Sequence, residues 1–556
     1  MDETKQQQQV SSSGASINEP NISDEKLEQL PLKELNAFLK EGKFSKEEEK
    51  ALRQRRADLK RKKSSIETRS ITRQAMKLFK DQQASVVSVV ASKPKALKPI
   101  SLVHREKFES LFELWSKSPT SITIINGNGV CFEKEFIIGS GSSGTDVFIC
   151  LGSDGIERAI KRLKKVAFGT LLENERDILT SPNAIESPRI VNYWFFDDVS
   201  NSDFCYLIIN LYERNLEQFL KDKNEAGEVI KESQSKKMIF QVLQGLEALH
   251  TREPRILHRD LKPTNILVDV NGDLVLSDFG IGRKFPEQGA TTYHTDSHEG
   301  SMGWMAYESV DWKHLLGKDP PFQPRWKEKS DIQVAGMVAF FILTKGRHRV
   351  FGEGLFKQLE NLHLGNPVGL TGLLSDQPVV KDLLSQMLVQ DLDKRLYVEQ
   401  AIKHPYFLSC KKNMKFLEAV GNEPEIKKGD VSCHIVKKLS RSNPLLPKDW
   451  KAAIHIDNLN AFCAGGKHPS KLIGSDYTHC LRLIRNVLQH WSDRPRPVLK
   501  DTGVTTSVGE YFFQLFPTLP LVVHQLIRDD PDWKARPALR EFFPVVNRRI
   551  SPDSDD

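Results

Sequence analysis

Two sets of polar residues in this 556-residue chain have the types and spacing of reactive groups. The first lies in LHRDLKPTNILVDVNGDLVLSDFG, Leu257 to Gly280, and comprises Asp260, Lys262, Asn265 and Asp278. Asn265 and Asp278 offer oxygen donors of the kind a hard cation such as Mg2+ takes. Asp260 can accept or orient the proton of a hydroxyl, and Lys262 can neutralise a phosphate; together these are the parts of a phosphoryl-transfer site. The second set is Arg485, Asn486 and His490 in CLRLIRNVLQH. Cleaving RNA without a metal needs a proton acceptor for the 2′-hydroxyl, a proton donor for the 5′-leaving oxygen and a cation for the crowded phosphate. An imidazole can donate near neutral pH, a guanidinium can clamp phosphate oxygens bidentately, and an amide can hold either.

Each set needs elements to position it. The first reads as a loop, a short strand, a tight turn at Asn271-Gly272, a second strand and another loop, so that Asp260 and Asp278 face one cleft. Upstream, FIIGSGSSGTDVFI sets Gly139, Ser140, Gly141 and Gly144 between two β-type runs, where glycine lets the backbone close over phosphates; Val147 follows to cover an adenine. Ala159-Ile160-Lys161 comes next. Lys161 would meet the α- and β-phosphates, paired with a glutamate of the next helix, LLENERDIL, where Glu175 sits at the usual place and Glu173 is the alternative. CYLIINLYERNLEQFL supplies a strand with Ile209 as gatekeeper and a hinge, Asn210-Leu211-Tyr212, whose backbone would bond adenine.

These features resemble the protein-kinase signature: His-Arg-Asp-Leu-x-x-x-Asn, then Asp-Phe-Gly, after a Gly-rich loop and Ala-Ile-Lys. Lys262 is typical of the serine/threonine kinases. The resemblance implies ATP (or ADP) and Mg2+ as cofactors and Asp260 and Lys262 as catalytic residues. It implies Gly139, Ser140, Gly141, Gly144, Val147, Ala159, Lys161, Glu175, Ile209 and Leu211 around the nucleotide, with Asn265 and Asp278 on the metal. It also implies that Arg259 meets a phosphorylated segment between Asp278 and Glu308, in which Thr291, Thr292, Tyr293, Thr295, Ser297 and Ser301 are potential acceptors. Glu308 is expected to pair with Arg395, and Asp331 to brace the catalytic loop. Met305-Ala306-Tyr307-Glu308 departs from the pattern, because Tyr307 stands where most kinases carry proline. HPYF, His404 to Phe407, closes the domain.

The chain continues for about 140 residues without a linker. FLEAVGNEPEIKK, KDWKAAIHI, CLRLIRNVLQH and GEYFFQLFPTLPLVV resemble the kinase-extension nuclease (KEN) domain found behind the kinases of ribonuclease L and of the unfolded-protein-response kinase/endoribonuclease. The resemblance spans about Phe132 to Pro544. At about 100° per residue, Leu481, Leu483, Ile484, Val487 and Leu488 fall on one half of a helix. Arg482, Arg485, Asn486, Gln489 and His490 fall on the other. The family's Arg-Asn-x-x-x-His pattern is matched at Arg485, Asn486 and His490. The resemblance implies transesterification to a 2′,3′-cyclic phosphate and a 5′-hydroxyl, activated by back-to-back dimerisation. Trp450 matches a family tryptophan. Two positions depart: Leu472 stands where the family has a tyrosine or other aromatic as base, with Tyr477 the nearest phenol, and His479 replaces an aspartate. The base is therefore open, with His479 as a substitute.

Composition narrows the remaining classes. Hydrophobic residues make up 39% and charged residues 28%, as in an ordinary soluble protein. The net charge is +7, and Arg53 to Lys80 alone holds 11 Lys/Arg against Asp58 and Glu67. The remainder is near neutral, which argues against nucleic-acid binding by bulk charge. Leu32 to Lys63 resembles the extended homology region of Maf-type leucine-zipper factors, but neither the basic motif nor a leucine heptad follows. The seven scattered cysteines read as reduced thiols of a cytoplasmic, or alternatively nuclear, protein. MDETKQQQQV has no signal-peptide character, MVAFFILT (Met337 to Thr344) is too short to span a bilayer, and no ankyrin-like period is present.

The expected fold class is α+β: a two-lobed protein-kinase fold followed by an all-α KEN domain. The expected boundaries are 1–103 (disordered or basic helical extension and linker), 104–131 (a short helix with Phe108, Leu111, Phe112 and Leu114 on one side), 132–409 (kinase), 410–548 (KEN) and 549–556 (tail). The expected function is a serine/threonine kinase fused to an endoribonuclease, with itself, RNA and protein substrates as partners. Two alternatives stand beside it: a kinase whose KEN domain is only a dimerisation scaffold, and a nucleic-acid-binding regulator acting through the basic segment, with DNA an unlikely partner.

Overall fold

The β-type runs between Ile122 and Asn210 form a seven-stranded antiparallel sheet, and its register lays out the nucleotide face. The strands are β1 (Thr123–Ile125), β2 (Asn128–Val130), β3 (Ile137–Ser140), β4 (Asp146–Gly152), β5 (Glu157–Lys164), β6 (Tyr193–Asp197) and β7 (Phe204–Asn210), ordered β1-β2-β4-β5-β7-β6 with β3 paired to β4. Gly139 lies opposite Val147, Val147 opposite Lys161, and Lys161 opposite Leu207. Ile149, Ala159 and Ile209 form the next row. Directly opposed residues, and residues two apart along a strand, share a face. Gly139, Val147, Ala159, Lys161 and Ile209 therefore line one side of the sheet. The computed structural model describes residues 93–546 except 141–144, 286–292, 295–299, 317–323, 373, 375, 465–467, 494–498 and 500–506. The expectations for the N-terminal polar and basic segments, Gly141, Gly144, Thr291, Thr292, Thr295, Ser297, the side chain of Tyr293 and the tail lie outside the described residues.

The opposite face of the sheet is covered by α1 (Arg105–Lys117), whose buried Phe108, Leu111 and Trp115 pack with Phe148, Ile160 and Ile208. Phe112 and Leu114 are only half-buried, and Trp115 carries the packing they were expected to provide. A Cβ at Gly129 would stand 2.3 Å from the Trp115 ring, so this strand position admits only glycine. Residues 93–103, expected to be linker, are fastened to the lobe. Lys98 bridges to Ile156, the Ile100 and Ser101 amides donate to Glu157 Oε2 at 2.8 and 2.7 Å, and the Leu102 and Val103 amides donate to the Glu213 carboxylate at 3.0 and 2.8 Å. Glu213 follows the hinge directly, so this strap is bonded to the edge of the nucleotide cleft.

Below the sheet lie α2 (Lys165–Leu179), α3 (Leu216–Glu225), α4 (Glu232–His250), α5 (Glu328–Leu343) and α6 (Pro378–Leu388). MVAFFILT falls in α5 up to Leu343, with Thr344 as its C-cap, and Met337 to Ile342 are all buried; a helix apolar on every side belongs inside a domain core. No helix among the described residues is long and apolar enough to cross a membrane. The catalytic stretch folds as short strand pairs. β8 (Arg214–Asn215) and β11 (Leu274–Leu276) flank β10 (Ile266–Val268), while β9 (Ile256–Leu257) pairs with β12 (Arg283–Lys284). Gly272 closes the turn with φ +75° and its amide bonds Asp269 O at 2.9 Å.

The chain after Leu408 forms helices joined by turns, with no strand among the described residues. Ser409 caps α7 (Cys410–Gly421), and α8 (Pro424–Lys428), α9 (Tyr477–Gln489), α10 (Val508–Leu515) and α11 (Leu519–Arg528) follow. They share a second core that includes Phe416, Val420, Trp450, Leu481, Ile484, Phe512 and Val523. No spacer separates it from the kinase lobe. Asp382 of α6 accepts from Gln525 at 2.7 Å, from Arg528 at 2.6 Å and from His404 at 2.9 Å. His524 lies beside them, stacked on Phe543 at 4.7 Å and edge-on to His404 and Phe416.

This junction should be acid-sensitive. Burial pushes Asp382 up, but the bonds from His404, Arg528 and Gln525 hold it well below the usual carboxylate range. Burial drives His404 below 6.5, and burial together with the His404 and Arg528 charges drives His524 well below it. An unfolded histidine takes its proton as pH falls through about 6.5, whereas these folded ones do not. Stability is therefore full above that pH and falls below it, by up to about 1.4 kcal/mol per pH unit for each histidine. The expected result is a melting temperature that declines between pH 6.5 and 5, with a shallower decline in His524→Phe. An unchanged slope in that variant would remove His524 from the account.

Candidate functional site: two reactive centres

In the kinase centre Lys161 Nζ donates to both oxygens of Glu175 at 2.9 Å and to Asp278 Oδ1 at 3.3 Å. Glu175 is the partner, and Glu173 points to solvent. Burial alone would push the Lys161 ammonium toward neutrality, but the Asp278 and Glu175 carboxylates hold it protonated above the usual lysine range. The Lys161 charge in turn holds Asp278 below the usual carboxylate range. Asn265 Nδ2 donates to the backbone oxygen and to Oδ2 of Asp260, at 2.9 and 2.8 Å. The amide group is thereby tied down, and Asn265 Oδ1 is left as a donor to a cation. Asp278 keeps Oδ2 in the same way, its side chain 47% exposed. Two free hard oxygens beside a bonded lysine fit Mg2+ with a nucleotide phosphate. Asp260 also accepts from Lys262 at 2.7 Å, and Lys262 bonds Ser301 Oγ. Ser301, one of the potential phosphate acceptors, thus stands at the catalytic loop.

Several buried groups set this geometry. Asp331 accepts from the amides of His258 and Arg259 at 2.9 and 3.1 Å and from His250 at 2.9 Å. Burial raises its pKa, but the His250 bond and charge bring it below the usual range, so it stays ionised. Arg259 and Asp278 both sit in the left-handed region, at φ +66° and +65°. Non-glycine residues hold that conformation only where the surroundings over-determine it. Arg259 is 1% exposed, its guanidinium over the Trp326 ring at 5.3 Å and Nη1 donating to Ile281 O at 3.1 Å. Glu308 and Arg395 form the expected pair, bidentate at 2.7 and 3.0 Å and fully buried. Tyr307 has a local reason to replace proline: its amide donates to buried Gln333 at 2.7 Å, a bond for which proline has no hydrogen.

Gly139 would meet only Val147, at 3.7 Å, if it carried a Cβ. Ser140 ends β3, exposed, and Leu211 packs half-buried behind the hinge.

In the second centre α9 forms as expected, with Leu481, Leu483, Ile484 and Val487 buried. Arg485 Nε donates to Asn422 Oδ1 at 2.8 Å and Nη1 to Asn486 Oδ1 at 2.6 Å. Its Nη2 carries no hydrogen bond among the described residues. Gly421 makes this possible, because a Cβ there would press within 2.8 Å of Arg485 Cβ. His490 caps the helix and its Nδ1 meets Asp493 Oδ2 at 2.7 Å, which sets the ring's orientation. Asn422 and Asp493 were missed in the sequence; Asn422 lies in the VGNEPEIK stretch that carried the resemblance, and Asp493 follows His490 by three residues. The positions considered for the base are accounted for differently. Tyr477 is buried, donates to Pro447 O at 2.9 Å and is raised by burial above the ordinary phenol range. His479 Nδ1 accepts from the Ile473 amide at 2.9 Å, and eleven helical residues put it about 16 Å from His490. Leu472 is half-buried, and Lys451 bonds its carbonyl at 2.9 Å. Trp450 is fully buried and holds this loop through Ile473 O and Asp476 O at 3.1 and 3.0 Å.

A kinase centre with its ion pair closed, packed directly against a helical domain with an Arg-Asn-His face, defines a protein kinase joined to a ribonuclease-type domain. The family description "Protein kinase domain" matches residues 132–407 and "Ribonuclease 2-5A" matches residues 413–543. The chain belongs to the kinase/endoribonuclease family with a KEN domain. It is similar to the "Sensor for unfolded proteins in the ER ire1" of Schizosaccharomyces pombe, 28% identical over 418 residues, covering 71% of this chain and 37% of the relative. It is also similar to the "Serine/threonine-protein kinase/endoribonuclease IRE2" of Homo sapiens, 28% identical over 414 residues, covering 72% and 41%. The "Serine/threonine-protein kinase/endoribonuclease IRE1" of Hypocrea jecorina is 26% identical over 457 residues, covering 76% and 35%. The matches thus cover about two fifths of these relatives' length.

Proposed function

We propose that the chain is a serine/threonine protein kinase fused to an RNA endonuclease that dimerisation activates. The observation that carries the reading is the presence, within one packed unit, of a bonded Lys161–Glu175–Asp278 centre and of Arg485, Asn486 and His490 on one helix. Two of the similar relatives bear names that pair the same two activities. In the kinase, Asn265 and Asp278 would hold Mg2+, which would supply positive charge against the phosphates. Lys161 orients the α- and β-phosphates, Lys262 faces the γ-phosphate, and Asp260 receives the hydroxyl proton. Asp260 Oδ1 is buried and accepts no hydrogen bond among the described residues, which leaves it for that proton. The acceptors are the chain's own activation segment and other proteins.

In the ribonuclease the 2′-hydroxyl passes its proton to water as its oxygen attacks phosphorus, and the bond to the 5′-oxygen breaks. Arg485 clamps the crowded phosphate, and His490 delivers a proton to the leaving oxygen. The products are a 2′,3′-cyclic phosphate and a 5′-hydroxyl. The face is a guanidinium, an amide and an imidazole, and its carboxylate, Asp493, is engaged by His490. That donor set supports a metal-independent reaction. A back-to-back homodimer, favoured by bound ATP or ADP, would bring two such faces together. The seven unpaired cysteines favour a reducing compartment, cytoplasm or nucleus.

The test is a stem-loop RNA incubated with the purified chain in EDTA over a range of protein concentrations. The expected products end in a 2′,3′-cyclic phosphate and a 5′-hydroxyl, at a rate that rises more steeply than protein concentration. Products with 5′-phosphates would overturn the mechanism. One observation favours a second reading, in which the helical domain is only a scaffold: Tyr477 and His479 are engaged in other hydrogen bonds, and Leu472 has no group to take a proton. Nucleotide-driven dimerisation with no cleavage at any concentration would establish it.

A further inference from the structure

We propose that Asn174 is a positioning residue for the metal ligand Asp278, locking the segment after it onto α2. This rests on the reading of Asp278 as a Mg2+ ligand. Asn174 Nδ2 lies within hydrogen-bond distance of three backbone oxygens, Phe279 O at 2.9 Å, Gly280 O at 2.9 Å and Gly282 O at 2.8 Å, which share its two hydrogens. The intervening oxygen, Ile281 O, accepts from Arg259 at 3.1 Å. Four consecutive carbonyls are therefore met by these two side chains, and two of them also accept from the segment itself, Phe279 O from the Gly282 amide at 3.0 Å and Gly282 O from Arg283 Nη1 at 2.9 Å.

The seat is tight as well as bonded. A Cβ at Gly282 would stand 2.8 Å from the Ile178 side chain of α2 and 3.1 Å from Leu257 O. Asp278 itself is in the left-handed region, a conformation that reverts unless its neighbours oppose it. The Lys161 bond to Asp278 is the longest of the three in the ion-pair cluster, at 3.3 Å against 2.9 Å to each Glu175 oxygen. The carboxylate is thus held by Lys161 and by the backbone that follows it, which Asn174 ties to α2 at three oxygens. Its role is to keep Asp278 aimed while the Lys161–Glu175 pair keeps α2 in place. One helix residue serves the lysine and its neighbour serves the metal.

The test compares Asn174→Leu and Asn174→Asp, both close in size and both without the amide donors, with the unaltered full chain. Affinity for ADP is measured by calorimetry in EDTA and again with saturating Mg2+. The expected result is an ADP affinity in EDTA that stays within about twofold. The gain on adding Mg2+ should shrink by about tenfold, the worth of one or two net hydrogen bonds. Loss of ADP binding in EDTA as well would mean that Asn174 supports the lobe generally, and would overturn the proposal, as would an undiminished Mg2+ gain. Asp278→Asn separates the two layers: it should abolish the Mg2+ gain, and if it does not, the metal-ligand reading fails whatever the Asn174 variants show.

Discussion

His490→Ala is expected to reduce RNA cleavage by about 10³-fold, within the range that a positioned proton donor contributes, while leaving autophosphorylation unchanged. The imidazole is 59% exposed and bonds the equally exposed Asp493, so its removal should change stability by no more than about 0.5 kcal/mol. Arg485 remains held by Asn422, and with it the phosphate clamp. The loss should therefore fall on kcat, with KM for RNA little altered. Single-turnover cleavage of a labelled stem-loop, run beside a kinase assay on the same preparation, checks both halves. Cleavage by the variant at the rate of the unaltered chain would sink the assignment of His490 as the acid.

Asp260→Asn is expected to reduce phosphoryl transfer by a similar factor of about 10³. The change keeps the shape but replaces a carboxylate that accepts from Lys262 and Asn265 at 2.7 and 2.8 Å with an amide that cannot take a proton. Asn265 and Asp278 stay, so Mg2+–ADP should bind nearly as before. If cleavage of RNA still responds to nucleotide in this variant, occupancy of the cleft is the switch. If the response disappears, the phosphate itself is required. Transfer at the unaltered rate would show that Asp260 neither orients nor deprotonates the hydroxyl.

The two centres differ in how far they were legible. Lys161, Glu175, Asp260, Asn265 and Asp278 were readable because each sits in a short motif whose spacing reflects one loop or one strand register. The same local logic located α9, where burial of Leu481, Ile484 and Val487 follows from a 3.6-residue period. The base of the ribonuclease was not readable. Tyr477 is a phenol by type, and only its burial and its bond to Pro447 O show that it is structural. His479 is an imidazole by type, and only the fold shows its Nδ1 engaged by the Ile473 amide. Residues 93–103 looked like linker because their composition carries no period; their order comes from two glutamates, Glu157 and Glu213, far along the chain.

By itself the sequence determined which chemistries are encoded and in what order: a phosphoryl-transfer centre, then an Arg-Asn-His helix face. It did so because side-chain type and helix or strand period are local properties. Only the tertiary structure decided what holds those groups in place. Asn174 meets the Asp278 segment, Asn422 meets Arg485, and Asp382 meets Arg528, across separations of 63 to 146 residues. Such contacts arise from how the helices pack, down to the missing Cβ of Gly421 that lets α7 approach Arg485, and no local pattern reports them.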